Sequence, residues 1–205
     1  MSKSTVPKAT LGRLPYYLQY LKNLPKDKSE CISATTIAKE LSLGEVQVRK
    51  DLNLVSGAGK PKVGYVTSDL IQTIEKYLGF SQMTKAVIVG AGKLGQALLE
   101  YDGFENYGVK IEAAFDIRDV HTKSKHVFKM DYLKEYCSKE NIHIGIITVC
   151  ESAAQSVCDK MVDSGITAIW NFAPCKLSVP DGILVMQENL ALSLAHLNQQ
   201  NIIKI

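Results

Sequence analysis

Six residues, Gly90-Ala91-Gly92-Lys93-Leu94-Gly95, constrain the fold of this 205-residue chain more than any others. They follow Lys85-Ala86-Val87-Ile88-Val89, a continuous apolar run that reads as a buried parallel strand, and precede an apolar helix from Gln96 to Tyr101. This is G-x-G-x-x-G in its strand–turn–helix setting. The first glycine permits the tight turn, the second lets backbone approach a pyrophosphate, and the third allows helix and strand to pack closely. The helix N-terminus adds free N–H groups and a positive dipole. A second strand, from Val109 to Phe115, ends in Asp116, 21 residues past Gly95. That is where an acid accepts the ribose 2′-OH of NAD and repels the 2′-phosphate of NADP. Arg118 stands two residues on and could pair with such a phosphate, which keeps NADP(H) or a CoA-type ligand as the alternative to NAD(H).

Strand and helix then continue to alternate. Helices read at 131–139, 152–163 and 189–200, and strands at 142–149, 166–170 and 183–186, which together make a doubly wound parallel sheet. Ligand sites in such sheets lie beyond the strands' C-terminal ends. Here those ends present Gly90, Asp116, Thr148-Val149-Cys150 and Asn171.

The first third reads differently. Leu14, Leu18 and Leu21 form an apolar stripe on a helix over 13–24, with Tyr16, Tyr17 and Tyr20 beside it, and a polar turn follows from Asp27 to Glu30. A second helix is expected over 33–41 and a third over 45–54. Between them Ser42-Leu43-Gly44-Glu45 reads as a capping box, with Ser42 accepting from the Glu45 N–H. Two short helices joined by such a turn make a helix-turn-helix. Val48, Leu52 and Val55 turn the third helix toward the core, which leaves Gln47 and Lys50 outward, with Arg49 and Asn53 on the flanks. Gln pairs with adenine N6/N7, and Arg or Lys with guanine O6/N7. The Gly-rich stretch from Ser56 to Val66 reads as a β-hairpin, a wing with Lys60 and Lys62 at its tip. A helix over 68–78 and a short linker, Gly79 with Ser81 to Met83, close this part.

Charge follows the same division. The net +3 conceals 12 Lys and Arg against 7 Asp and Glu in residues 1–83, and 12 against 14 in residues 84–205. The basic part faces something anionic. Expected domains are therefore a winged-helix DNA-binding domain over 1–80, a Rossmann dinucleotide-binding domain over 84–188, and a C-terminal helix over 189–205.

The five cysteines form no CxxC pair, and none lies at zinc-ligand spacing from a histidine, so reduced thiols and no metal are expected. No apolar run is long enough for a membrane span, and the N-terminus has no secretory h-region, so no membrane partner and a cytoplasmic location follow. A dehydrogenase needs an acid–base group at the substrate carbonyl. Apart from Tyr101 and Cys150 no such residue marks a strand end, and little chain remains for a substrate domain. No catalytic residues are expected, and an NAD-dependent oxidoreductase is the lesser reading.

The motifs together resemble the Rex family of redox-sensing transcriptional repressors over essentially the whole chain. The resemblance rests on Arg13-Leu14-Pro15-Tyr16-Tyr17, Gln47-Val48-Arg49-Lys50-Asp51-Leu52, Val63-Gly64-Tyr65, the glycine motif, Phe115-Asp116 and Asn171-Phe172-Ala173-Pro174. It implies a homodimer that exchanges C-terminal helices and binds a palindromic operator, with NADH releasing the DNA and NAD⁺ permitting binding. It also implies that Lys50 contacts a base and that Tyr101 senses the nicotinamide site. Several positions depart from the family pattern. Gln19 and Asn189 stand where Arg and Asp usually form an inter-subunit switch salt bridge, so a hydrogen bond between amides would replace it. Pro61-Lys62 stands where the family has Arg/Lys-Gly, Cys150 replaces a proline, and Arg118 replaces Asp or Asn.

Overall fold

The structure, a computed structural model, describes residues 6–25, 30–80, 83–118 and 127–203. The linker residues Ser81 and Gln82, most of the polar turn, His121 and His126 lie outside them. The chain divides after Gln82 into two compact units.

The first unit runs α1 (Lys8–Lys22), β1 (Cys31–Ile32), α2 (Ala34–Glu40), α3 (Glu45–Ser56), β2 (Tyr65–Val66) and α4 (Thr67–Leu78). The leucine stripe of α1 packs with Ile37, Ala38, Val48, Leu52, Val55, Leu70 and Ile74 in one core. Tyr17 joins them fully buried. Each buried leucine here contributes about 2 kcal/mol by leaving water. Helix α1 begins at Lys8, ahead of the expected start, so Pro15 falls inside it.

Two local expectations are corrected. Ser42 is not an N-cap. It is left-handed (φ 53°) and ends α2, its N–H donating to the Lys39 carbonyl and that of Leu43 to the Ala38 carbonyl at 2.8 Å. This paired-bond C-cap anchors Leu43 on the core, and Gly44 becomes the N-cap of α3 without a side-chain bond. The wing is not a two-stranded ribbon either. Lys60 and Gly64 exchange both backbone hydrogen bonds at 2.8 Å around Lys62, which is left-handed, and nothing more of that ladder forms. The strand that follows, β2, pairs antiparallel with β1 instead. Gly64 allows this: a Cβ there would lie 2.3 Å from the Ile32 carbonyl oxygen.

The second unit runs β3 (Thr84–Val89), α5 (Lys93–Glu100), a 3-10 turn, β4 (Val109–Asp116), β5 (Val127–Lys129), a second 3-10 turn, α6 (Leu133–Glu140), β6 (Ile144–Ile147), α7 (Glu151–Asp163), β7 (Ala168–Asn171), β8 (Leu184–Gln187) and α8 (Leu190–Ile203). The six strands are parallel, in the order β5-β4-β3-β6-β7-β8. The order reverses direction at β3, which places the crevice between β3 and β6. Alternate residues of β3 serve the two faces. Val87 and Val89 pack with residues of α6 and α7, while Ala86 and Ile88 pack with Leu99 of α5. A register shift in β4 opposite Ala86 and Val87 lets Ile111 and Ala114 share one face. The last two elements differ from the rest. All four residues of β8 are exposed, and α8 exposes Leu190, Leu192, Leu194, Leu197 and Ile202.

Candidate nucleotide site and DNA-facing surface

The glycine motif is built as the spacing predicts. Gly90 has φ 106°, and a Cβ on it would meet the Thr148 carbonyl at 2.9 Å. The Thr148 hydroxyl donates to the Gly90 carbonyl at 2.7 Å, tying the ends of β3 and β6 together. A Cβ on Gly95 would lie 1.9 Å from the Gly90 oxygen, so only glycine allows α5 to pack there. A Cβ on Gly92 would meet nothing within 4 Å. The backbone at Gly92, the N-cap of α5, is open to an approaching group, which fits a pyrophosphate seated on the helix N-terminus.

Asp116 closes the loop from the side. Its carboxylate is only 6% exposed; Oδ2 accepts from the Ala91 N–H at 2.7 Å and Oδ1 from the Arg118 N–H at 2.9 Å. Burial pushes this carboxyl up, but those N–H groups and the Arg118 guanidinium outweigh it and hold it below its ordinary range. Arg118 Nε stands 3.6 Å from Oδ1, with the side chain 74% exposed.

A cavity of about 290 Å³ opens between these elements. It gathers Gly90, Gly92, Asp116, Arg118, Thr148, Val149 and Cys150, all named from the sequence. Ile117, Met130, Ala153 and Val157 also line it and were missed. Ile117 carried a signal, since it directly follows the acid at the strand's end; the apolar residues of helix and turn carried none. Ala91 lies behind the wall, its N–H on Asp116 and its carbonyl accepting from the Gln96 amide at 2.9 Å. Lys93 and Leu94, in the first turn of α5, are exposed outside the cavity lining. Two more expected residues are not brought to the cavity. Tyr101 is 59% exposed and packs edge-to-face on Phe104, at 5.0 Å between ring centroids. Asn171 is fully buried, and its amide is used by the fold: Nδ2 donates to Gln187 Oε1 at 2.7 Å and Oδ1 accepts from the Ala173 N–H at 3.0 Å. It braces β7 against the following loop and β8 and lies outside the cavity lining.

Cys150 is the N-cap of α7 and is exposed at the cavity lip. Its hydrogen bond with Ser152, then the Ala153 backbone N–H, holds the thiol below its ordinary range. Among the described residues no group of three or more His, Cys, Asp or Glu could hold a metal ion, and no helix is long and apolar enough to cross a membrane.

In the first unit, α3 presents Gln47, Arg49 and Lys50 exposed. A concavity of about 370 Å³ lies between α3, the start of α2 and the wing, and is lined by Arg49, Asn53, Lys60 and Lys62 among others. Arg49 pairs with Glu45 one turn back, so the carboxylate expected in the capping box holds an arginine instead. Beneath this face lies a charge the sequence reading missed. Asp51 is 1% exposed at its side chain. It accepts from the Thr10 hydroxyl at 2.9 Å, from Arg13 Nε at 2.7 Å and Nη2 at 3.0 Å, from the Tyr17 hydroxyl at 2.8 Å, and from Gln47 Nε2 at 3.0 Å. Burial pushes its carboxyl up, and these donors more than reverse that. Burial and the Asp51 bond push the Tyr17 phenol up to about 12.

Gln19 is exposed on α1. Asn189 Oδ1 accepts from the Leu192 N–H at 2.9 Å and so caps α8.

Comparison with known proteins agrees with both units. Residues 5–53 match the family model described as a putative DNA-binding protein N-terminus, and residues 81–175 match a CoA binding domain. The redox-sensing transcriptional repressor Rex of Treponema denticola is 43% identical over 198 residues, covering 93% of each chain. That of Porphyromonas gingivalis is 39% identical over 194 residues, 93% of this chain and 89% of its own. Among solved structures, the Rex-family repressor RSP in complex with β-NAD⁺ and operator DNA superposes with a TM-score of 0.86 at 32% identity, covering 98% of this chain and 96% of that one. RSP with β-NADH gives a TM-score of 0.82 over 98% of each chain.

A winged helix joined to a nucleotide-binding Rossmann unit defines a ligand-responsive transcriptional regulator rather than an enzyme. Within that class, this chain belongs to the Rex family of redox-sensing transcriptional repressors.

Proposed function

We propose that the chain represses transcription in the cytoplasm by binding a palindromic operator as a homodimer, and that NADH in the cavity beside Gly92 releases it. The observation that carries this reading is the open backbone at Gly92 facing a cavity that Asp116 closes, in one chain with a helix that exposes Gln47, Arg49 and Lys50. The pyrophosphate of NAD(H) lies on the N-terminus of α5 against the backbone at Gly90 and Gly92, and Asp116 accepts from the adenosine ribose. Thr148, Val149 and Cys150 border the nicotinamide end. Gln47, Arg49 and Lys50 meet base edges, and Lys60 and Lys62 meet phosphates or the minor groove. The solved complexes of RSP with β-NADH, and with β-NAD⁺ and operator DNA, support both ligands.

The exposed leucines of α8 support a dimer in which this helix packs on the other copy. Gln19 and Asn189 then meet across subunits by an amide hydrogen bond. Linkage makes the effect reciprocal: NADH weakens DNA binding by the same factor as DNA weakens NADH binding. The test is a gel shift on an operator selected by the chain from random DNA, titrated with NADH against NAD⁺ at fixed salt. Retention of full DNA affinity in saturating NADH rejects the reading.

A second reading keeps the same architecture with NADP(H) or a CoA-type ligand. It is favoured by the exposed Arg118 guanidinium beside Asp116 and by the CoA binding domain match.

A further inference from the structure

We propose that Asp51 fixes the side-chain amide of Gln47 so that its oxygen faces the operator, which makes Gln47 a reader of adenine. This rests on the proposed DNA-binding role of α3.

Asp51 and Gln47 are four residues apart on α3, where side chains on adjacent turns meet. An ionised carboxylate only accepts hydrogen bonds, so the group that faces it has to be the Gln47 nitrogen. The carboxylate itself has no freedom to turn. Thr10, Arg13 and Tyr17 hold both of its oxygens from α1, and it is buried. An ordinary surface glutamine rotates its amide and offers either a donor or an acceptor. Turning the Gln47 amide over would set Oε1 against Asp51 Oδ1, two acceptors face to face with no proton between them.

The amide therefore keeps one orientation, with Oε1 and one remaining N–H directed away from Asp51. In the major groove, adenine offers an N6–H donor beside the N7 acceptor, which matches that pair. Guanine presents only acceptors at the same place, and cytosine presents a donor with no neighbouring acceptor. Donors for guanine are supplied nearby by Arg49 and Lys50, both exposed on the same helix. Asp51 is thus a positioning residue that never touches DNA, and it fixes which base Gln47 accepts.

Two measurements test this on the full chain. The first replaces each adenine of the selected operator singly by purine, which lacks the N6 amino group, or by 7-deazaadenine, which lacks N7. At one adenine per half-site, each analogue should weaken wild-type binding about tenfold, and Gln47→Ala should be indifferent to both. If no adenine shows a loss that disappears in Gln47→Ala, the proposal is overturned. The second measures the Gln47 side-chain amide in the free protein by NMR relaxation. A rigid amide, with an order parameter near the backbone value of about 0.85, is expected; a value below about 0.6 is that of a mobile side chain and overturns the proposal. A chain that binds no operator in any state rejects the proposed function itself. A chain that binds DNA with a mobile Gln47 amide rejects only this inference.

Discussion

Arg13 grips Asp51 with two parallel hydrogen bonds, Nε to Oδ2 at 2.7 Å and Nη2 to Oδ1 at 3.0 Å, joining α1 to the recognition helix. Bidentate pairs of this kind are the strong ones among charge-assisted bonds. An interior proline costs a helix about 3 kcal/mol. Pro15 is tolerated in α1 with Thr10, Arg13 and Tyr17 bonded to one buried carboxylate on either side of it.

This pair gives the first unit a defined pH dependence. The folded carboxyl of Asp51 lies below its ordinary value, so the unfolded chain takes up the proton first as pH falls. Its stabilisation is complete above the unfolded value of about 3.9 and is lost as pH drops through the folded one. Asp51→Asn should cost about 2 kcal/mol at pH 7 and flatten the acid limb. Urea denaturation of both proteins between pH 7 and pH 3 measures it; parallel acid limbs would contradict the assignment.

Gly92 and Gly95 should separate binding from folding. Gly95→Ala places a methyl carbon 1.9 Å from the Gly90 oxygen, and the second unit should lose roughly 3 kcal/mol. Gly92→Ala meets no atom of the protein, so its stability should stay within about 0.5 kcal/mol of wild type. The same methyl group would occupy the proposed approach of the pyrophosphate, and NADH affinity should fall at least about tenfold. Thermal denaturation and calorimetric titration together read both effects.

Asp116 and Arg118 decide between the two ligand readings. Asp116→Ala removes the proposed ribose acceptor and frees the Ala91 N–H, and NADH affinity should drop by about a hundredfold. Arg118→Ala should leave NADH affinity within about threefold, because an exposed charge contributes little. If Arg118→Ala instead abolishes tight binding of NADPH or CoA in titrations where wild type prefers them to NADH, the second reading holds.

The cysteines should label in a fixed order. Cys150 is exposed and its thiol is held down by Ser152, whereas burial pushes Cys137 up to about 11. Iodoacetamide near pH 7.5 should modify Cys150 more than about tenfold faster than Cys137. Bound NADH should protect Cys150, and alkylated protein should bind NADH more weakly. Mass spectrometry of timed samples reads the order, and unchanged NADH affinity after alkylation would remove Cys150 from the site.

The nucleotide cradle was legible because its information is local. Strand, glycines and helix N-terminus are contiguous, and Asp116 follows at a spacing set by one β-α-β turn. The Asp51 cluster was not legible, because its partners on α1 lie 41, 38 and 34 residues away and no periodicity announces them. Asn171 shows the limit of reading strand ends. Its position at the end of β7 follows from the alternation, but the direction of its amide depends on Gln187 and the Ala173 backbone, 16 and 2 residues on. Ser42 shows another: a helix end and the next helix start compete for the same three residues, and the C-cap of α2 prevailed by seating Leu43 in the core.

The exposed strand β8 and the bare leucines of α8 have a further consequence. In the proposed dimer a single protomer is an unfinished fold, and mass action governs its completion. Dilution should lower the melting temperature of the second unit as well as dissociate the pair, so the protein's resistance to unfolding would rise with its own abundance.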